Sequence, residues 1–80
     1  MKLYNYHEKS NISGERIRIA REKLHISQEQ LAAKMQIEGF DINQKSISRI
    51  ETGLRVVPDY EVPFLAKALN VSVLWLLGME

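Results

Sequence analysis

The chain contains no cysteine, which removes disulfide scaffolds and thiolate metal sites and gives no argument for secretion. Proline is scarce, with two residues in 80, so long extended or low-complexity tracts are excluded as well. Its longest apolar run is Val73-Leu74-Trp75-Leu76-Leu77, far short of the roughly 20 residues needed to span a bilayer. Residues 1–11 have no apolar centre of the signal-peptide kind. A soluble, cytoplasmic chain is the expectation. Charge of one sign is also lacking: the formal net charge is only +1, much weaker than a polycationic nucleic-acid binder shows. At 80 residues there is room for one small domain, which buries only about 60% of its unfolded surface.

The charges that are present are polarised. Residues 13–24 carry +2 (Arg16, Arg18, Arg21 and Lys23 against Glu15 and Glu22), and residues 40–57 carry +1. Residues 58–80 carry −2, with Asp59, Glu61 and Glu80 against Lys67, so acid collects at the C-terminal end.

What recurs along the chain is a helix start. An apolar residue ahead of a Ser or Asn, with another apolar residue four positions after it, is the hydrophobic staple around an N-cap. It occurs as Ile12/Ser13/Ile17, Ile26/Ser27/Leu31, Ile42/Asn43/Ile47 and Val71/Ser72/Leu76, and Gln30 completes a capping box with Ser27. A further helix is expected where Leu65, Ala66 and Leu69 recur at helical spacing, with Pro63 in its first turn. Gly53 and Asn70 can take the left-handed conformation that ends a helix, and His25 stands where Gly would be easier. These signals predict an all-α, compact five-helix domain with helices near 13–24, 27–37, 43–52, 60–69 and 72–78. Residues 13–80 form the domain in this reading, and 1–12 a polar tail.

Two charges fall inside apolar stripes. Arg21 shares the face of Ile17, Ala20 and Leu24, and Glu51 shares that of Ile47, Ile50 and Leu54. A lone buried charge is expensive, so the two are expected to pair and fix the third helix against the first. The alternative is that both reach water from the edge of the stripe.

Opposite that stripe the third helix presents Lys45, Ser48, Arg49 and Thr52, with Gln44 at its leading end and no acid among them. Such groups suit base edges in the major groove, where Gln bridges adenine N6 and N7 and Arg or Lys donates to guanine O6 and N7. The plainer reading is a solvated face. Context favours recognition, because the preceding helix begins with Ser27-Gln28, placed to hold a phosphate at its N-terminus.

From Ser13 to Gly78 the chain resembles the Cro/C1-type helix-turn-helix family, the lambda-repressor-like DNA-binding domains. The matching stretches are Gly14-Glu15-Arg16-Ile17-Arg18 with Arg21-Glu22, then Ser27-Gln28-Glu29-Gln30-Leu31-Ala32. Ser46-Ile47-Ser48-Arg49-Ile50-Glu51-Thr52-Gly53 follows, then Leu65 to Val73 and Trp75-Leu76-Leu77-Gly78. The resemblance implies a five-helix fold and regulation of transcription, as a repressor, through double-stranded operator DNA. Gln44, Lys45 and Arg49 would read bases, with Ser48 assisting. Ser27, Thr52 and Arg55 would contact backbone, and Gln28 would hold a phosphate and brace Gln44. Arg21 and Glu51 match the positions of a buried ion pair in some members.

The chain departs from the family in two places. Gln36-Ile37-Glu38-Gly39-Phe40-Asp41 enlarges the usual tight turn by about five residues, and Phe40 is expected to pack this loop onto the core rather than to sense a ligand. Leu74 stands where many relatives carry an acid. With Val73, Leu76 and Leu77 expected to face inward and Trp75 to close the base of the core, Leu74 is the candidate for a homodimer contact.

In the tail, Lys2, Tyr4, Tyr6, His7 and Lys9 suggest a loose segment or one tyrosine packed on the domain, with an arm touching DNA as the alternative. His7 and His25 lack metal-ligand spacing, so no metal or cofactor is expected. No nucleophile–base constellation is readable, so an enzyme is not expected. The rival from another class is a protein-interaction module on the same fold, an antitoxin-like or adaptor subunit.

Overall fold

A computed structural model describes residues 8–80. Five α-helices follow one another: α1 (Gly14–Lys23), α2 (Gln28–Ile37), α3 (Gln44–Glu51), α4 (Val62–Leu69) and α5 (Val73–Leu76). A single 3₁₀ turn, Asp59–Glu61, leads into α4, where the expected helix from residue 60 begins in tighter form. Pro63 lies in the first turn of α4, where its missing N–H leaves no intrahelical bond unmade. α5 is the shortest helix, so the expected span of 72–78 shrinks to its middle.

Three of the four expected caps form. The side-chain oxygens of Ser27, Asn43 and Ser72 accept from the N–H groups of Gln30, Ser46 and Trp75 at 2.9–3.0 Å. Gln30 Oε1 accepts in return from the Ser27 N–H at 2.7 Å, closing the capping box. Ser13 is the exception: it is helical itself and makes no side-chain cap. Asn11 takes its place, Oδ1 accepting from the Gly14 N–H at 2.8 Å. Accordingly Ile12, expected as the apolar partner of this start, is 48% exposed.

The reason for the shift lies in how α1 meets α3. Asn11 Nδ2 donates to the Ile50 carbonyl at 3.0 Å and to the Arg55 carbonyl at 2.8 Å. The Ser10 N–H donates to the Gly53 carbonyl, and Lys9 pairs with Glu15 at 2.7 Å. Residues 9–11 are thus bound to the body of the domain. Gly14 permits the approach: a Cβ there would stand 2.2 Å from the Ile50 carbonyl oxygen. Lys2, Tyr4, Tyr6 and His7 lie outside the described residues.

All five helices stop by the same local device. A left-handed residue follows the last turn: His25 (φ 57°), Gly39 (93°), Gly53 (79°), Asn70 (58°) and Gly78 (74°). The next N–H then reaches back five residues, from Ile26 to Arg21, Phe40 to Met35, Leu54 to Arg49, Val71 to Ala66 and Met79 to Leu74, at 2.8–3.4 Å. This is the Schellman reversal, which occupies carbonyls that would otherwise lack a partner. The residue after each reversal is apolar.

Ile17, Leu31, Met35, Ile47, Ile50, Leu65, Leu69 and Leu76 form the sealed centre. Burying each such side chain contributes roughly 1.5–3 kcal/mol. α4 carries the largest share of the core and packs on α1, α2 and α5, while α3 packs on α1 and α2. Phe40 lies 5.0 Å from Phe64 and 6.3 Å from Tyr60 between ring centroids, so the enlarged loop is fastened to the core by aromatic contact.

Three residues expected inside are not. Leu54 is 64% exposed, because it follows the reversal at Gly53 and helical periodicity no longer governs its direction. Leu24 ends α1 and lines an open surface groove with Leu69, Val71 and Trp75. Val73 opens the short α5 and is 37% exposed. Trp75 packs partly against the core, and the Arg16 guanidinium stands 5.0 Å over its ring.

Candidate functional site

α3 is strongly two-sided. Ile47, Ile50 and Glu51 are buried, while Gln44, Lys45 and Arg49 are exposed, Thr52 is exposed at the end of the helix, and Ser48 is half-buried. Among the described residues Lys45 and Arg49 join no ion pair. The Thr52 hydroxyl donates to the Ser48 carbonyl at 2.9 Å, which occupies its proton but leaves its oxygen able to accept. Ser27 is exposed and Gln28 half-buried at the N-terminus of α2, beside the start of α3.

Behind this face lies a continuous hydrogen-bonded chain. Arg21 grips Glu51 with two bonds, Nε to Oε2 at 2.7 Å and Nη2 to Oε1 at 3.0 Å. Its remaining Nη1 donates to the Ile26 carbonyl at 2.9 Å, which also ties down the turn between α1 and α2. The side chains are 13% and 3% exposed, so this is a pair largely removed from water. The bonds to Glu51 hold the Arg21 guanidinium pKa above its ordinary value, against the burial that acts the other way. Gln28 Nε2 donates to Glu51 Oε1 at 3.0 Å, and Gln44 Nε2 donates to Gln28 Oε1 at 2.6 Å. A core ion pair thereby reaches an exposed amide at the head of α3.

Arg55 is placed differently from an open backbone contact. Its guanidinium forms a second bidentate pair, with Glu61, at 2.6 and 2.9 Å, and donates to the Val56 carbonyl at 3.2 Å. Glu61 is 1% exposed. Glu61, counted among the acids of the C-terminal end, therefore adds little to the outer charge there: it is buried and balanced by Arg55, whose pKa the same bonds raise. A signal was available, since Glu61 stands four residues before Leu65 and eight before Leu69, inside the apolar stripe of α4. Asn11, hidden in a segment read as tail, left no comparable mark. Leu74 projects from α5 and is half exposed.

Chemically, the exposed set offers one amide, one ammonium and one guanidinium along about two turns of helix, with hydroxyls at their edge. Those are the donors and acceptors that base edges and phosphate oxygens accommodate. No group of three or more His, Asp or Glu suited to a metal ion occurs among the described residues, nor any helix long and apolar enough to cross a membrane.

Comparison with known families matches the helix-turn-helix model over residues 17–76. Among solved structures the chain is similar to the P22 c2 repressor protein, determined in complex with a synthetic operator. The two share 30% identity over 86% of this chain and 97% of that one, with a TM-score of 0.73. It is also similar to the restriction-modification controller protein C.AhdI from Aeromonas hydrophila, at 28% identity over 79% of this chain and 84% of that one, with a TM-score of 0.69. Comparison with curated proteins finds no match.

Proposed function

Because the chain belongs to the Cro/C1-type helix-turn-helix family, we propose that it is a DNA-binding transcription regulator that represses by laying α3 in the major groove of an operator. The observation that carries this reading is the outward face of α3, where Lys45 and Arg49 stand free of acidic partners beside an amide held by Gln28. Gln44, Lys45 and Arg49 read base edges in this scheme, with Ser48 at their margin. Ser27 and Gln28 meet phosphate at the start of α2, where N–H groups and the helix dipole favour an anion. Thr52 accepts its place on the backbone beside α3. Arg55 approaches the backbone only with what its pairing with Glu61 leaves free. The P22 c2 repressor, similar in structure, was determined in complex with a synthetic operator, which supports operator DNA as the partner.

Two copies on a two-fold site, their α3 helices about 34 Å apart, complete the proposal. Leu74 is the contact assigned to the partner copy.

Selection of bound duplexes from a random pool tests the whole reading. A recurring site with two half-sites is expected, and Arg49→Ala or Gln44→Ala should erase preference at separate base pairs. Affinity should fall by about a hundredfold or more between 50 and 200 mM salt as phosphate contacts release counterions. Binding indifferent to sequence and salt would overturn it.

A further inference from the structure

The buried Arg21–Glu51 pair and the exposed Gln44 are joined through Gln28 by hydrogen bonds of 3.0 and 2.6 Å. The direction of this chain is not free. An ionised carboxylate only accepts, whereas an amide side chain both donates and accepts. Glu51, already held by two bonds from Arg21, compels Gln28 to turn its Nε2 inward. Gln28 then faces Gln44 with Oε1, and that acceptor compels Gln44 to turn its own Nε2 toward Gln28. What Gln44 keeps for the outside is one N–H and its carbonyl oxygen.

That remainder is a donor beside an acceptor. Adenine presents the complement in the major groove, N7 accepting beside an N6 amino group that donates, whereas guanine presents two acceptors, N7 and O6. An amide of this polarity makes two bonds to adenine. Against guanine it makes one and sets its own oxygen against O6. We propose that Glu51 is a specificity-positioning residue: acting through Gln28, its carboxylate fixes the polarity of the Gln44 amide and selects adenine over guanine at the base pair Gln44 meets. The proposal rests on the base-reading proposed above. With an amide at position 51 the chain can run in reverse, Gln28 donating to Gln44 Oε1, and Gln44 then offers both N–H groups, the pattern guanine accepts.

The test uses the full chain and the selected site, with all four base pairs placed in turn at each position. Gln44→Ala identifies the pair concerned as the one whose preference it erases. There the wild type is expected to favour adenine over guanine on the order of ten- to a hundredfold. Glu51→Gln and Gln28→Met free the amide to turn either way, so each should lower that ratio severalfold while preferences erased by Arg49→Ala or Lys45→Ala at other pairs persist. Gln28→Met leaves the Arg21–Glu51 pair intact, so it interrogates the relay even where Glu51→Gln fails to fold. A uniform loss of affinity with the adenine preference unchanged overturns the relay and leaves Glu51 a structural partner of Arg21. A wild-type preference for any other base at that pair overturns it too. If Gln44→Ala alters no preference at all, the base-reading fails, and the relay with it.

Discussion

Glu61 holds its charge at 1% exposure, with a bond from Arg55 to each carboxylate oxygen. Removing one partner of a fully buried pair costs about 3–5 kcal/mol, because the other is left charged and dry. The Arg55 side chain is 29% exposed, which lets water relieve part of that penalty. Arg55→Met is therefore expected to destabilise by about 2–3 kcal/mol in urea denaturation, and Arg55→Met combined with Glu61→Leu to recover most of the loss. The pH dependence follows from the raised guanidinium pKa. A basic group raised on folding stabilises the fold at every pH below its unfolded value and loses that contribution only as pH climbs through its folded value. The difference in urea midpoint between wild type and Arg55→Met should accordingly stay level from about pH 7 to about pH 10. A steady decline across that window would contradict the assignment.

At the scale of elements, the tightest constraint is the seating of α1 on the last turn of α3. Gly14→Ala would set a methyl group 2.2 Å from the Ile50 carbonyl oxygen, a backbone atom with little room to yield. A gain of up to about 1 kcal/mol in helix propensity is outweighed by overpacking of about 1–3 kcal/mol and by disturbance of the Asn11 bonds. Gly39→Ala meets no atom within 4 Å and suffers only its positive φ, about 1–2 kcal/mol. Thermal melts check this order of loss, and hydrogen exchange shows whether Gly14→Ala also loosens residues 9–11. Faster exchange of the Ser10 N–H bonded to the Gly53 carbonyl is expected, and exchange as slow as in wild type would refute the coupling. The starts and stops of most helices were legible because they are local codes: Ser27 with Gln30, Asn43, Ser72, and left-handed residues such as Asn70. Much of the α3 face was legible for the same reason, through the opposition of Arg49 to Ile47. What escaped depends on distance along the chain. Asn11 acts 39 and 44 residues away, and nothing in its neighbourhood marks such a role. Leu54 misled because the helical period continues on paper past the residue that ends it.

For the molecule as a whole, a net charge of +1 conceals a division of labour. Glu51 and Glu61 are neutralised inside by Arg21 and Arg55, which leaves Lys45 and Arg49 to set the field at the outward face of α3. The proposed pairing of two copies is tested at Leu74 on α5. Leu74→Glu is expected to weaken operator binding at least tenfold while leaving single half-site binding and the melting temperature near wild type. Sedimentation of wild type and variant on the full site checks this, and equal two-to-one complexes for both would remove Leu74 from the interface. A last consequence follows from the enlarged turn between α2 and α3. The helix before it ends at Gly39 and Phe40 by its own reversal, and the helix after it begins at Asn43 by its own cap. One side-chain bond crosses the segment, Gln36 Nε2 donating to the carbonyl of the buried Ile42 at 2.8 Å. Insertions and deletions that keep this bond and the buried Ile42 can shift the angle of α3 without unravelling it. Under the function proposed above, this gives a lineage a route to new operators by changes of length as well as by substitution.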